Sequence, residues 1–172
     1  PKVLHKLNNA TLIEHVINTS KKMNPEKIII VVGHQKNKIK KKLKDYSDLE
    51  FVTQKEQKGT AHAVKMCLPN LKNFKGNVMI LSGDVPLISY QTLQKLVSIK
   101  TDKETKASLL TAFLNDPSGY GRIIRNNNNQ LIKIIEHKDA TDAEKQISEI
   151  NSGIYIFNAK ILTNMIPKID NN

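Results

Sequence analysis

The stretch Lys27-Ile28-Ile29-Ile30-Val31-Val32-Gly33 constrains this chain more than any other feature. A short, unbroken apolar run rich in β-branched residues is the pattern of a strand covered on both faces, and it predicts a central parallel strand. Ahead of it, residues 11–23 place Leu12, Ile13, Val16 and Ile17 on one helical stripe, extended by Ser20 and Met23 and stopped by Pro25. After it come a lysine-rich helix, a strand over 49–54, a helix opening near Thr60, a third apolar run over 77–83 and a helix over 89–99. Strands and helices alternating in this order predict an α/β, Rossmann-like architecture: a mostly parallel sheet with helices on both faces and right-handed crossovers. Ligands of such sheets bind beyond the carboxyl ends of the strands.

The second half changes rhythm. Strands are predicted over 107–114, 121–125, 131–136 and 150–157, with the four asparagines Asn126 to Asn129 forming a hairpin loop that tolerates left-handed geometry. A last helix over 159–165 stops near Pro167. With no internal repeat and no long linker, residues 1–172 read as a single domain. A chain of this size buries roughly 70% of its unfolded surface, enough for a core without metal or disulfide staples. The opening Pro1 and the polar close Asp170-Asn171-Asn172 predict a piece of something longer, incomplete at both ends.

One cysteine, Cys67, rules out an internal disulfide and fits a reducing, cytoplasmic setting. It sits beside Val64 and Leu68 on an apolar helix face and reads as core. No apolar run approaches the ~18 residues of a membrane span, so no membrane partner is expected. A net charge of +11 raises nucleic acid as a partner, but the residue types oppose it. Of 27 Lys and Arg only Arg122 and Arg125 are arginine, and aromatics are 5%, too sparse for a base-stacking platform. The block Lys36, Lys38, Lys40, Lys41, Lys42 and Lys44 reads as the solvated face of one helix.

Leu81-Ser82-Gly83-Asp84-Val85-Pro86-Leu87 is the most informative motif. An apolar strand delivers one carboxylate to its own carboxyl end, Gly83 lets a ligand approach the backbone, and Pro86 stiffens the exit. A Mg²⁺ ion needs only one or two protein oxygens beside phosphate and water, so Asp84 suits a metal-phosphate site. It equally suits a cap on the following turn. In Gln54-Lys55-Glu56-Gln57-Lys58-Gly59-Thr60-Ala61-His62-Ala63, a base or phosphate can rest at the helix start, and Gln54 can read a nucleobase edge. Read locally, an ordinary threonine N-cap after a glycine turn is the simpler explanation.

Asp116-Pro117-Ser118-Gly119-Tyr120-Gly121-Arg122-Ile123 lacks the helix and third glycine of a dinucleotide loop, and no P-loop sequence occurs. Glu136 and Asn151 could accept sugar hydroxyls or sit as surface polar groups. The five histidines show no zinc-ligand spacing, and no G-x-S-x-G elbow exists.

Taken in order, Pro1-Lys2-Val3-Leu4, Gln57-Lys58-Gly59-Thr60-Ala61-His62-Ala63, Gly83-Asp84-Val85-Pro86-Leu87, Asp116 to Ile123, Glu136-His137-Lys138-Asp139-Ala140 and Glu149-Ile150-Asn151-Ser152-Gly153-Ile154-Tyr155 strongly resemble the uridyltransferase domain of the bacterial GlmU family, and the likeness runs through nearly all 172 residues. Members are bifunctional N-acetylglucosamine-1-phosphate uridyltransferases and glucosamine-1-phosphate acetyltransferases. The resemblance implies a nucleotidyltransferase fold with a β-hairpin insertion and transfer of UMP from UTP to N-acetylglucosamine 1-phosphate, giving UDP-N-acetylglucosamine and pyrophosphate. It implies Asp84 as the Mg²⁺ ligand and Lys2 as the phosphate-contacting lysine, both catalytic. Gln54, Gly59 and Thr60 match positions around the uracil, Ser82 and Gly83 the ribose segment, and Gly121, Glu136 and Asn151 the N-acetylglucosamine positions.

Ser82 replaces an aromatic residue of some relatives. By the same resemblance a glycine-rich phosphate loop is expected before Pro1, and a second, asparagine metal ligand and an acetyltransferase β-helix after Asn172. The piece alone is therefore expected to be inactive, and its parent a cytoplasmic homotrimer. Direct attack of the sugar phosphate on the α-phosphorus needs no general base. The competing readings are another sugar-1-phosphate nucleotidyltransferase, or a non-catalytic module binding nucleotide sugars or nucleic acid.

Overall fold

Glu14 reaches back to the residue that starts its own helix. The Thr11 N–H and hydroxyl both donate to Glu14 Oε2, at 2.8 and 2.6 Å, a capping arrangement that holds the entry of α1 (Leu12–Lys21). Ahead of it lie a 3₁₀ turn, Lys2–Leu4, and two short antiparallel strands, β1 (Lys6–Leu7) and β2 (Ala10–Thr11). The computed structural model describes residues 1–100 and 105–169. The polar close Asp170-Asn171-Asn172 lies outside the described residues.

β3 (Ile28–Val32) and β4 (Leu49–Thr53) pair in parallel, from Ile28 opposite Leu49 to Val32 opposite Thr53. Between them runs α2 (Lys36–Lys42), which buries only Ile39 and leaves its lysines to solvent, as the charge block predicts. Ile30 and Val32 pack with Ile13, Ile17, Ile39 and Leu43 on one side of β3. Ile29 joins Val64, Leu71, Leu162 and Ile166 on the other. The strand is thus covered on both faces, and fully burying each such aliphatic side chain contributes about 1.5–3 kcal/mol. It is not central, however: among the described residues it forms a ladder with β4 alone. An apolar run reports which faces are covered but carries no information about hydrogen-bonding edges.

The chain continues through α3 (Gly59–Met66), β5 (Asn77–Ile80), α4 (Tyr90–Lys100), β6 (Ala107–Phe113), β7 (Arg122–Arg125), β8 (Leu131–Ile135), α5 (Asp142–Lys145), β9 (Glu149–Asn158) and α6 (Ala159–Met165). The predicted α/β class holds. The expected mostly parallel pairing does not: among the described residues only β3 and β4 pair in parallel, while β9 runs antiparallel to β5, β6 and β7. The ten-residue β9 inserts between β5 and β6, so these two point the same way without touching as a ladder. β7 and β8 form the predicted hairpin, its turn stabilised by Asn126 Oδ1, which accepts from the N–H groups of Asn128 and Gln130, and by Asn129 at φ 60°. Leu96, Ile154 and Ile156 complete the core between α4 and β9. Among the described residues, no helix is long and apolar enough to cross a membrane.

Candidate active site

β5 ends at Ile80, and the chain then turns out through Ser82, Gly83 and Asp84. A Cβ at Gly83 would lie 3.3 Å from Val3 Cγ1 and 3.8 Å from Ile13. The bare glycine therefore lets the Lys2–Leu4 turn seat against the strand exit, and a 3.0 Å bond from the Leu12 N–H to the His5 carbonyl ties that segment to α1. The consequence is an ion pair: Lys2 Nζ lies 2.8 Å from Asp84 Oδ2, while the Ser82 hydroxyl donates to Oδ1 at 2.6 Å.

The hydrogen bond from Lys2, then that from Ser82, hold the Asp84 carboxyl below its ordinary value against a smaller opposing effect of burial. Lys2 is raised in turn, chiefly by Asp84, with a small contribution from Tyr120 that brings this tyrosine into the neighbourhood. Asp84 thus stands as an ionised, partly exposed carboxylate held first by Lys2 and Ser82, with its own backbone N–H contributing least.

A second group forms at the carboxyl end of β4. The Gln54 N–H donates to the Val32 carbonyl at 2.8 Å, which extends the parallel ladder by one bond and fixes the buried side chain. Its Nε2 donates to the Gly59 carbonyl at 3.1 Å and meets His62 Nδ1 at 2.9 Å. The carbonyl partner sets the amide orientation, because a flipped Oε1 would face another acceptor. Both Nε2 donors are then used, and Oε1 is the acceptor left for a ligand. Gly59 takes φ +83° at the start of α3, and the N-cap is Lys58, without a side-chain cap bond. Thr60 lies inside the helix, so the threonine N-cap reading is corrected. A cleft of about 760 Å³ opens here between the loops after β3 and β4, lined in part by Gly33, Gln54 and Gln57. It does not include Asp84.

The third group joins β7, β8 and β9. The Asn151 N–H donates to the Gly121 carbonyl at 2.8 Å. A Cβ at Gly121 would sit 3.3 Å from Glu136 Oε1 and 3.2 Å from Ile134, so glycine allows that carboxylate to close against the backbone. The Asn151 amide is held by Tyr155 Oη, to which Nδ2 donates at 2.6 Å, and by the Gly153 N–H, which donates to Oδ1 at 3.1 Å. Gly153, at φ +76°, lies where β9 slips register against β6 between Leu109 and Thr111, a bulge of the kind that re-aims side chains beside sites.

The predicted residues therefore gather in three groups: Lys2, Ser82, Gly83 and Asp84; Gln54, Gly59 and Thr60; Gly121, Glu136 and Asn151. Tyr120 immediately precedes Gly121 of the third group. Tyr120, His62 and Arg122 stand inside the sequence motifs without a role that the sequence assigns: His62 meets Gln54 within one motif, whereas Arg122 also reaches His137 and Lys145, 15 and 23 residues away. Cys67 is buried, its thiol pushed up to about 11 by burial, which suits core packing and not nucleophilic attack.

A family model for nucleotidyl transferases matches residues 1–172. The chain belongs to the nucleotidyl transferase family. This nucleotidyl transferase chain is 45% identical over 172 residues to a Streptococcus mutans protein named "Bifunctional protein GlmU", covering 100% of the chain and 37% of the relative. A Gloeothece citriformis protein of the same name is 43% identical over 169 residues, 98% of the chain and 38% of the relative. The GlmU resemblance seen in the motifs is borne out over the full chain, which spans about two fifths of the length of these relatives. Among solved structures, a glucose-1-phosphate thymidylyltransferase candidate from Bacillus anthracis shares the fold at TM-score 0.80 and 20% identity, over 98% of this chain and 67% of that one. HddC from Yersinia pseudotuberculosis does so at TM-score 0.72 and 18% identity, over 95% and 70%.

Proposed function

We propose that this nucleotidyl transferase chain forms the uridyltransferase centre of a GlmU-type protein, transferring UMP from UTP to N-acetylglucosamine 1-phosphate and releasing pyrophosphate as UDP-N-acetylglucosamine forms. The observation that carries this reading is the Lys2–Asp84 pair at the exit of β5, in a chain 45% identical to a protein named for GlmU.

An oxygen of the sugar phosphate forms a bond to the α-phosphorus of UTP as the bond to the pyrophosphate oxygen breaks. That oxygen is anionic at neutral pH, so no side chain has to remove a proton, and positioning with charge compensation does the catalytic work. The Lys2 ammonium offsets negative charge on the nucleotide phosphates. Gln54, with its amide donors engaged, presents Oε1 to the N3–H of uracil, and Gly59 and Thr60 border the base. Ser82 and Gly83 flank the ribose. Gly121, Glu136 and Asn151 form the N-acetylglucosamine side.

The donor chemistry fits Mg²⁺. Asp84 offers a hard, ionised, partly exposed oxygen, and no group of three or more His, Cys, Asp or Glu converges among the described residues to compete with it. Asp84 would hold the ion, which when bound supplies neutralisation of phosphate charge. The same reading makes the chain one domain of a longer, homotrimeric, cytoplasmic protein that also carries an acetyltransferase. Its support is that bifunctional relatives are matched over only 37–41% of their length.

The test is pyrophosphate release by the full-length protein across four substrate pairs, UTP or dTTP with N-acetylglucosamine 1-phosphate or glucose 1-phosphate. UTP with N-acetylglucosamine 1-phosphate is expected to lead in kcat/KM by at least about tenfold. A lead for dTTP or for glucose 1-phosphate would replace this reading with another sugar nucleotidyltransferase.

A further inference from the structure

The only two arginines of the chain fall on one four-residue strand, β7, in a sequence otherwise charged by lysine. Each uses the planar fork that lysine lacks. Arg125 grips Glu149 through Nε and Nη2 at 2.8 and 2.7 Å and donates from Nη1 to the Asn129 carbonyl at 2.9 Å.

Arg122 is the more unusual. It is 1% exposed, and among the described residues no carboxylate pairs with it. Its Nη1 donates to the Tyr120 carbonyl, its Nη2 donates to the Lys145 carbonyl at 3.3 Å and approaches His137 Nδ1 at 3.3 Å, and its Nε is buried without a partner. A buried guanidinium with no directly paired carboxylate among the described residues, only the longer-range attraction of Asp116, and with one unmatched donor costs stability, so local packing is a poor reason for it to be there.

Its three partners lie on two loops and at the end of α5, and two of them adjoin a residue of the third group. Tyr120 precedes Gly121, His137 follows Glu136, and Lys145 closes α5 ahead of the strand that carries Asn151. The residues so framed already touch: Gly121 accepts from the Asn151 N–H at 2.8 Å, and Glu136 Oε1 closes on the bare Cα of Gly121.

We propose that Arg122 is a positioning residue for the sugar-phosphate half of the site, its guanidinium setting the spacing between the Tyr120–Gly121 loop, the Glu136–His137 loop and the end of α5, and so the place of Gly121 and Glu136 against Asn151 of β9. This rests on the sugar-phosphate assignment above. Arg122 is too buried to touch substrate and acts through its neighbours. A lysine there would keep the charge and lose the fork, so Arg122→Lys separates geometry from field.

In the full-length protein, Arg122→Lys is expected to raise KM for N-acetylglucosamine 1-phosphate about tenfold while KM for UTP stays within about twofold. Amide exchange at residues 120–122 and 136–139 is expected to speed up at least about tenfold. His137→Ala is expected to move the same KM in the same direction, and His137→Asn, which keeps an acceptor near Nδ1, to move it less. These two variants decide the matter if Arg122→Lys does not fold. A lower melting temperature with both KM values unchanged, or equal movement of both, overturns the proposal. If the wild-type protein turns over no sugar phosphate, the reading of the function fails instead. The exchange measurement then judges the clamp by itself, and unaltered exchange in those two loops overturns it.

Discussion

Lys2 Nζ lies 2.8 Å from Asp84 Oδ2, and that pair closes the exit of β5 against the Lys2–Leu4 turn. The lysine is 74% exposed and the aspartate side chain 29%, so the pair faces solvent at the carboxyl end of a strand, where a ligand can exchange with either partner. Exposed pairs of this kind contribute little to folding. Their significance on the proposed reading is chemical: an ammonium and a carboxylate held beside the proposed phosphate-binding rim.

Removing the ammonium should therefore separate catalysis from stability. Lys2→Met in the full-length protein is expected to lower kcat/KM for pyrophosphate release about 10²–10³-fold. Its melting temperature should stay within about 2 °C of wild type. Steady-state kinetics beside thermal melting checks this, and a parallel fall of both would assign Lys2 to the fold.

On the proposed reading, base selectivity follows from the Gln54 amide. With Nε2 committed to Gly59 and His62, Oε1 favours a base that offers a donor, as uracil N3–H does and cytosine N3 does not. The wild-type protein is expected to prefer UTP over CTP, and Gln54→Leu to lose at least about tenfold of that preference. Competition between the two nucleotides measures it directly; an undiminished preference in the variant would remove Gln54 from base reading.

Glu14 makes the stability of the fold depend on pH. Burial opposes its charge, but hydrogen bonds from the Thr11 hydroxyl, Lys42 and the Thr11 N–H outweigh burial and bring the carboxyl down from 4.5 to about 2. A depressed carboxyl stabilises the fold above its unfolded pKa and loses that contribution as pH falls through the folded one. Glu14→Gln is thus expected to cost about 1–2 kcal/mol at pH 7, discounted for the half-exposed Lys42 partner, and progressively less from about pH 4.5 down to pH 2. Urea unfolding of both proteins at pH 7 and pH 3 tests the sign; a larger difference at pH 3 would contradict it.

What could be read from residues alone was whatever local chemistry determines. Ile28 to Val32 announced a strand covered on both faces because β-branched residues pack well on a pleated surface. The four asparagines announced a turn because they tolerate positive φ. The pairing of Asn77 with Asn158, which puts β9 antiparallel beside β5, depends on contacts distant in sequence and leaves no local trace. β1 and β2, two residues each, are too short for any periodicity. α5 does carry a local signal, since Thr141 and Glu144 form a capping box with the S/T-x-x-E spacing. At the site, Asp84 and Gln54 announced themselves by standing at strand ends. The bonds of Arg122 to the His137 ring and the Lys145 carbonyl join residues 15 and 23 positions apart, which no local pattern signals.

The carboxylate at the exit of β5 is the centre of the proposed chemistry, and Asp84→Asn changes it with the least disturbance, keeping the shape and a partner for the Ser82 hydroxyl. Pyrophosphate release from UTP and N-acetylglucosamine 1-phosphate by the full-length variant is expected to fall at least about 100-fold with its thermal melting unchanged. Release within a few-fold of wild type would contradict the role assigned to Asp84.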